Sequence, residues 1–135
     1  MPLSPAYRCR LGAACLALLV AVVGVAPTAL RAAEDDFAAG GAAYRSGDKE
    51  EAFRIWSALA ERGDAAAQFN IGRMYATGDG TARDMVEAYK WLLIASRRGR
   101  VDALTALKRL GPSMDQEQRH EAIRRADAWR RARGG

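Results

Sequence analysis

The sequence has few reactive or metal-binding side chains. Its 135 residues include two cysteines, Cys9 and Cys15, and one histidine, His120. Because both cysteines precede residue 16, the rest of the chain can form no disulfide, cysteine nucleophile or cysteine-ligated metal site. No Ser-His-Asp arrangement and no metal-ligand spacing is visible either. We therefore expect no catalytic residues, no metal and no cofactor.

The N-terminal part of the sequence also lacks charge. No charged residue occurs from Leu11 to Leu30, whereas Arg8 and Arg10 precede this run and small residues close it. A basic start, an apolar middle and a small-residue end are typical of a secretory signal. We predict a signal peptide over residues 1–33 and a periplasmic or secreted domain. The alternative is an uncleaved membrane anchor, since 20 uncharged residues could just span a bilayer.

The remaining charges are unevenly distributed. Removal of residues 1–33 leaves 18 basic and 16 acidic residues, so the basic character of the whole chain says little about its partners. Residues 34–96 carry 7 basic and 11 acidic side chains, whereas residues 97–135 carry 11 basic and 5 acidic ones. Such polarity suits an acidic partner or anionic envelope material at the C-terminal end, and it also suits a solvated face that keeps the last helix soluble. A nucleic-acid partner is not expected for an exported protein.

The sequence repeats itself with a step of 36 residues. The segment 48–56 aligns with 84–92, Gly63 with Gly99, and Ala67 with Ala103. A period in the thirties with helix-compatible content indicates helix pairs stacked as a solenoid. No alternating apolar pattern long enough for a strand is present. The pattern predicts helices near 36–46, 49–62, 65–77, 85–98, 102–110 and 116–132.

Local signals agree with these boundaries. Aspartates precede five of the helices as N-cap candidates, namely Asp48, Asp64, Asp84, Asp102 and Asp115. Three of them stand three residues before Glu51, Glu87 and Gln118, which predicts capping boxes. Glycines occur where helices should end, at Gly47, Gly63, Gly78, Gly99 and Gly111.

Each of two helices carries an apolar stripe. Ala52, Ile55, Trp56 and Leu59 recur at i, i+3, i+4 and i+7 in the first, and Ala88, Trp91, Leu92 and Ala95 recur likewise in the second. Because Trp56 and Trp91 both lie on these stripes, we expect them to pack in the core rather than to stack on a ligand.

One segment resembles a known repeat. The spacing of small, aromatic and acidic residues from Ala65 to Gly99 looks like a Sel-one-like repeat, a relative of the tetratricopeptide repeats, at positions Ala67, Gly72, Tyr75, Gly78, Gly80, Asp84, Ala88, Trp91, Ala95 and Gly99. The resemblance implies an all-α fold, a right-handed α/α solenoid of about three helix pairs. Residues 34–63 then form a degenerate tetratricopeptide-like unit, 64–99 the repeat, and 100–135 a partial repeat with a capping helix.

The repeat positions have structural explanations. Ala67 and Gly72 would let helix backbones approach closely, and Tyr75 and Trp91 would fill the space between neighbouring pairs. The Gly78-Asp79-Gly80 loop lacks the residues of a phosphate or calcium site, so we interpret it as a turn between helices. In the first unit, Tyr44 and Asp48 are too close in sequence for the chain to contain this loop.

The resemblance also implies a function, that of a protein-interaction scaffold. In helix-pair solenoids the first helices line the concave face. The non-consensus positions there are Asn70, Arg73 and Thr77, and a step of 36 adds Ala106 and Arg109. Aligning Tyr44 with Tyr75 adds Ala39 and Ala42. This predicts a groove, basic on one side, for an extended or helical acidic segment of another protein.

Other functions are possible on the sequence. Some cysteine-rich members of the resembled family are linked to penicillin binding or hydrolysis, but their cysteine pattern is missing here. An envelope enzyme or enzyme subunit and a membrane-tethered structural protein remain alternatives, and self-association is plausible for so short an array. His120 lies in a charge-rich segment, which predicts a solvated side chain.

Overall fold

The computed structural model describes residues 28–134. The predicted signal peptide lies outside these residues except for its last six, which belong to the first helix. None of the described helices is both long and apolar enough to cross a membrane. Residues 34–135 form one compact unit.

The described residues form six α-helices and no strand. They are α1 (Thr28–Ser46), α2 (Lys49–Glu61), α3 (Ala65–Thr77), α4 (Met85–Arg97), α5 (Val101–Leu110) and α6 (Gln116–Arg131), with a 3₁₀ turn at Gly111–Ser113. The all-α solenoid prediction is confirmed. Helix α1 begins eight residues before the predicted start, and α2 to α6 agree with the prediction to within one residue at each end.

Aspartate side chains cap four of the helices. The carboxylates of Asp48, Asp64, Asp84 and Asp115 each accept a hydrogen bond from a backbone N–H in the first turn that follows. Only Asp115 has the reciprocal bond of a capping box, in which Gln118 Oε1 accepts from the Asp115 N–H at 3.1 Å. The boxes predicted at Glu51 and Glu87 are wrong, because both side chains bind arginine or lysine instead.

The prediction of Asp102 as an N-cap is also wrong. Helix α5 begins at Val101 with Arg100 at the N-cap position, 36 residues after the N-cap Asp64. Asp102 lies in the first turn, where Arg100 donates to its carboxylate. The repeat step therefore locates this helix start better than the local aspartate signal does.

Glycines end the helices as predicted in all but one case. Gly47, Gly63, Gly78 and Gly99 have φ values between 80° and 98°, which a side chain resists. Gly111 differs, since its φ of −52° is helical and it begins the 3₁₀ turn. Pro112 follows it at a position where the missing N–H costs nothing.

The first two helix pairs pack through glycines. A β-carbon on Gly72 of α3 would lie 2.9 Å from Leu92 Cγ of α4, which confirms the predicted close approach. A β-carbon on Gly40 of α1 would lie 2.5 Å from Trp56 Nε1 of α2. In each pair, a large side chain of the second helix therefore occupies the space beside a glycine of the first helix.

These contacts correct the predicted alignment of the first helix. The N–H of Asp48 donates to the carbonyl of Ala43, and the N–H of Asp84 donates to that of Tyr75, both at 3.0 Å. In the packing of the pairs, Ala43 rather than Tyr44 is therefore equivalent to Tyr75, with the same step of 32 residues that relates Gly40 to Gly72. The glycines that end the two helices, Gly47 and Gly78, keep the predicted step of 31.

Helix α6 packs mainly against α4, not against α5. Its Ala122 and Ala126 are fully buried, and the rings of Trp91 and Trp129 meet edge to face with centroids 5.7 Å apart. Two ion pairs flank this contact, Arg97 with Asp127 (2.6 Å) and Arg125 with Glu87 (2.9 Å). The last two helices thus do not repeat the pairing of α3 with α4.

Candidate partner-binding groove

A groove of about 620 Å³ lies between α3 and α5. Apolar side chains form much of its lining, namely Phe69, Ala76, Leu92, Ala106 and Leu110. Beneath it, Leu92, Ala95, Ala103 and Leu107 form a buried cluster that joins α4 to α5. The groove therefore rests on the part of the core that fixes α5 beside α3.

Two arginines at equivalent repeat positions line the groove. Arg73 of α3 and Arg109 of α5 are 36 residues apart, and both are exposed. Neither guanidinium forms an ion pair with a carboxylate of the described residues. Their charges are thus available to an anionic ligand.

The acidic residue of the groove is already neutralised. Asp102 lines the groove, but Arg100 donates to its carboxylate and thereby lowers the pKa of Asp102 below its usual value. The Arg100 guanidinium also lies 5.2 Å from the ring centre of Phe69, and that of Arg73 lies 5.7 Å from it. Both guanidiniums are therefore within cation–π distance of the Phe69 ring.

The structure brings three of the four predicted partner-binding residues to this groove. Arg73, Thr77 and Arg109 line it, together with the predicted Ala106. Asn70 lies instead in a neighbouring cavity of about 140 Å³, which shares Arg73 and Thr77 with the groove. The Thr77 hydroxyl donates to the Arg73 carbonyl at 3.1 Å.

The first helix contributes different residues from those predicted. Neither Ala39 nor Ala42 lines the two cavities. Tyr44 of α1 lines the smaller cavity instead. Its aromatic ring packs on Trp56, with centroids 5.7 Å apart.

Asp79 joins the repeat loop to the first helix pair, a role that the sequence did not predict. Lys49 Nζ donates to Asp79 Oδ1 at 2.8 Å, and Tyr44 Oη donates to Oδ2 at 3.0 Å. These bonds lower the pKa of the Asp79 carboxyl, the lysine contributing most. A β-carbon on Gly80 would lie 2.2 Å from the Lys49 carbonyl oxygen, so the loop lies directly on the start of α2.

The other repeat positions serve the packing. Ala67, Ala88 and Ala95 are fully buried, and Trp91 and Trp56 are 3% and 6% exposed. Tyr75 packs edge to face on Phe53 of α2, with centroids 5.1 Å apart, and its burial raises the pKa of its hydroxyl. The prediction that both tryptophans belong to the core is confirmed.

The single histidine and the possible metal ligands give no second candidate site among the described residues. His120 is exposed on α6, as predicted. Within residues 28–134, no group of three or more histidine, cysteine, aspartate or glutamate side chains is placed to hold a metal ion.

Comparison with known proteins identifies the repeat. The family described as Sel1 repeat matches residues 65–99. Two curated relatives, both exopolysaccharide production negative regulators, are 41% identical: one from Rhizobium leguminosarum bv. viciae over 56 residues and one from Rhizobium meliloti (strain 1021) over 54 residues. The aligned segments cover 42% and 40% of this chain but only 21% and 20% of the relatives. Residues 65–99 thus match one Sel1 repeat, at the segment where the sequence pattern predicts it.

Proposed function

We propose that this chain is an exported protein-interaction module and that the groove between α3 and α5 binds an acidic segment of its partner. Sel1-repeat proteins typically bind other proteins, and the repeat is generally non-catalytic. A binding role therefore has more support than the role of an envelope enzyme or enzyme subunit.

One observation carries the choice of site. The arginines at equivalent positions of α3 and α5 face the same apolar groove without carboxylate partners among the described residues. Burial of an uncompensated charge is costly, so a ligand that enters between Arg73 and Arg109 must supply carboxylates. Its apolar side chains would at the same time cover Phe69, Ala106 and Leu110.

The choice of compartment rests on the N-terminal sequence. A basic start, an uncharged run from Leu11 to Leu30 and small residues after it support export. N-terminal sequencing of the protein from the cell envelope tests this: a start near residue 34 supports a cleaved signal. An intact N-terminus in the membrane fraction would support a tethered form.

The relatives suggest the process in which the module acts. Both are named as negative regulators of exopolysaccharide production. We propose that this chain takes part in such regulation by binding a regulatory or biosynthetic protein. Deletion of the coding sequence should change the amount of exopolysaccharide, and the wild-type chain should restore it.

A peptide-display selection tests the groove. Random peptides are selected on the wild-type chain and on the double variant Arg73→Glu/Arg109→Glu. The wild type should enrich peptides with two or more acidic residues next to an apolar one, and the double variant should not. Salt should weaken the binding, because exposed ion pairs are screened.

The control is a variant with the same change in net charge. Arg83→Glu/Arg131→Glu alters two exposed arginines that do not line the groove. It should select the same peptides as the wild type. If both double variants lose the acidic peptides equally, the effect comes from net charge, and the proposed site is contradicted.

A further inference from the structure

A further cavity, of about 470 Å³, lies between the C-terminal ends of α2, α4 and α6. Its lining includes four arginines, one carboxylate and one indole, namely Arg62, Arg98, Arg130, Arg133, Glu61 and Trp129. Four positive charges and one negative charge give these side chains a net charge of +3. We call these six residues the basic cavity.

The carboxylate of the basic cavity is already engaged. Glu61 Oε2 accepts a hydrogen bond from Trp129 Nε1 at 3.0 Å and another from the guanidinium of Arg133 at 2.5 Å. The same guanidinium donates to the Glu61 carbonyl at the end of α2. Glu61 and Arg133 thus compensate each other, and the remaining arginines gain no counter-charge from within the basic cavity.

Two of the remaining arginines have no anionic partner. Arg62 pairs with Asp36 of α1 at 3.3 Å. Arg98 and Arg130 form no ion pair with the described residues. A β-carbon on Gly63 would lie 3.7 Å from Arg98 Nη1, so the Arg98 guanidinium of α4 reaches the turn that follows α2. Two uncompensated charges from different helices therefore line one cavity.

The helix ends alone do not account for these two arginines. An arginine near a helix C-terminus interacts favourably with the helix dipole and can bond to the last carbonyls. Arg133 does so at the end of α2. The side chains of Arg98 and Arg130 donate to no backbone carbonyl of the described residues. Their guanidinium donors are therefore available to a ligand.

The charge and the size of the basic cavity define that ligand. We propose that it binds the phosphate group of a small phosphate ester, with Arg98 and Arg130 as the donors. A phosphate monoester carries about two negative charges and three acceptor oxygens, so it can accept from two guanidiniums at once. A single carboxylate brings one charge and two oxygens. The volume lies in the range of small-molecule sites, about 300–1,000 Å³, which leaves room for the organic part of the ester beside Trp129.

Isothermal titration calorimetry on the purified full chain tests the proposal. The probes are glucose-6-phosphate and glucuronate, which carry a phosphate or a carboxylate on the same sugar ring, at equal ionic strength. Glucose-6-phosphate should bind at least about tenfold more tightly, because it accepts more charge-assisted hydrogen bonds. No binding of glucose-6-phosphate, or equal binding of glucuronate, would overturn the proposal.

Two double variants with the same change in net charge locate the site. Arg98→Gln/Arg130→Gln should weaken the binding of glucose-6-phosphate at least about tenfold. Arg73→Gln/Arg109→Gln should leave it within about twofold, since the groove between α3 and α5 shares no residue with the basic cavity. Circular dichroism checks that both variants are folded. Unchanged binding in the first variant, or equal loss in both, would contradict the site.

A third probe distinguishes two sources of the phosphate group. Short-chain phosphatidic acid, below its micelle concentration, is titrated onto the wild type and onto Arg98→Gln/Arg130→Gln, and the binding that the variant loses is assigned to the basic cavity. If this binding is tighter than that of glucose-6-phosphate, the ligand is a lipid headgroup; if it is not, the ligand is a soluble ester. The inference does not depend on the proposed function, because the groove and the basic cavity can each fail alone.

Discussion

The two helix pairs α1–α2 and α3–α4 solve the same packing problem with different residues. In the first pair, the indole of Trp56 fills the space left by Gly40 and donates to the Phe37 carbonyl at 3.2 Å. In the second pair, Leu92 fills the space beside Gly72, and Trp91 turns to α6 instead. The comparison shows that a close approach at a glycine defines the pair, whereas the large side chain beside it can change.

Removal of either tryptophan should have the largest effect. Trp56→Ala and Trp91→Ala should each lower the free energy of unfolding by about 3–5 kcal/mol, since both indoles are buried. Domains of this size have about 5–15 kcal/mol in total, so either variant approaches the limit of stability. Urea denaturation followed by circular dichroism measures both. A cost under about 1 kcal/mol at Trp56 would show that its contact with Gly40 does not stabilise the first pair, and the same result at Trp91 would show this for the contact between α4 and α6.

Glycine-to-alanine variants test the corrected alignment. Gly40→Ala and Gly72→Ala should each cost roughly 1–3 kcal/mol, because the new methyl group meets a ring or a leucine. Gly41→Ala meets only the Arg45 guanidinium and should be neutral or up to about 1 kcal/mol stabilising, as alanine favours helices. Thermal denaturation of the three variants measures these differences in stability. A larger cost at Gly41 than at Gly40 would restore the alignment of Tyr44 with Tyr75.

The Gly78–Gly80 loop, which the first helix pair lacks, should stabilise the fold in a pH-dependent way. Lys49 and Tyr44 hold the pKa of Asp79 below its ordinary value of 3.8 in the folded chain. This contribution is present above that value and is lost as the pH falls through the lowered pKa of the folded state. Asp79→Asn should therefore reduce the loss of stability seen in acid denaturation below about pH 4.

The matched control for this variant is Glu117→Gln. It removes an exposed carboxylate that forms no ion pair with the described residues. Its acid denaturation should follow that of the wild type. Identical curves for Asp79→Asn and the control would exclude the loop contact as a source of the pH dependence.

The smallest effect is expected at Leu104 of α5, which is 46% exposed. Leu104→Gln installs the residue that α3 has at the equivalent position, Gln68. Because Leu104 is half exposed, the free energy of unfolding should change by no more than about 0.5 kcal/mol. A cost above about 2 kcal/mol in chemical denaturation would show that Leu104 is part of the core.

The sequence predicted the helices and their repeat because the 36-residue step acts over many positions at once. The same step located Arg73 and Arg109 on one surface, although partner binding there stays a prediction. The alignment of α1 matched Tyr44 with Tyr75, whereas the packing matches Gly40, which faces Trp56, with Gly72, which faces Leu92. The sequence does not show which of the adjacent Gly40 and Gly41 faces Trp56.

Other features depend on tertiary contacts that a single sequence does not reveal. Ala122 and Ala126 lie four residues apart and so on one side of α6, but this spacing does not reveal that α4 rather than α5 covers them. The role of Asp79 requires knowledge of where Tyr44 and Lys49 lie, 35 and 30 residues earlier. Asp102 has the local pattern of an N-cap, whereas helix α5 begins at Val101 with Arg100 at the N-cap position.

Photo-crosslinking from inside the groove tests the central claim most directly. A photo-reactive residue replaces Thr105, which lines the groove on α5, in cells that produce the full chain. The account predicts a crosslink to an acidic segment of one partner protein, and this crosslink should disappear when Arg73→Glu/Arg109→Glu is added. A crosslink that persists with both arginines reversed, or no crosslink above that of an exposed position on α6, would contradict it.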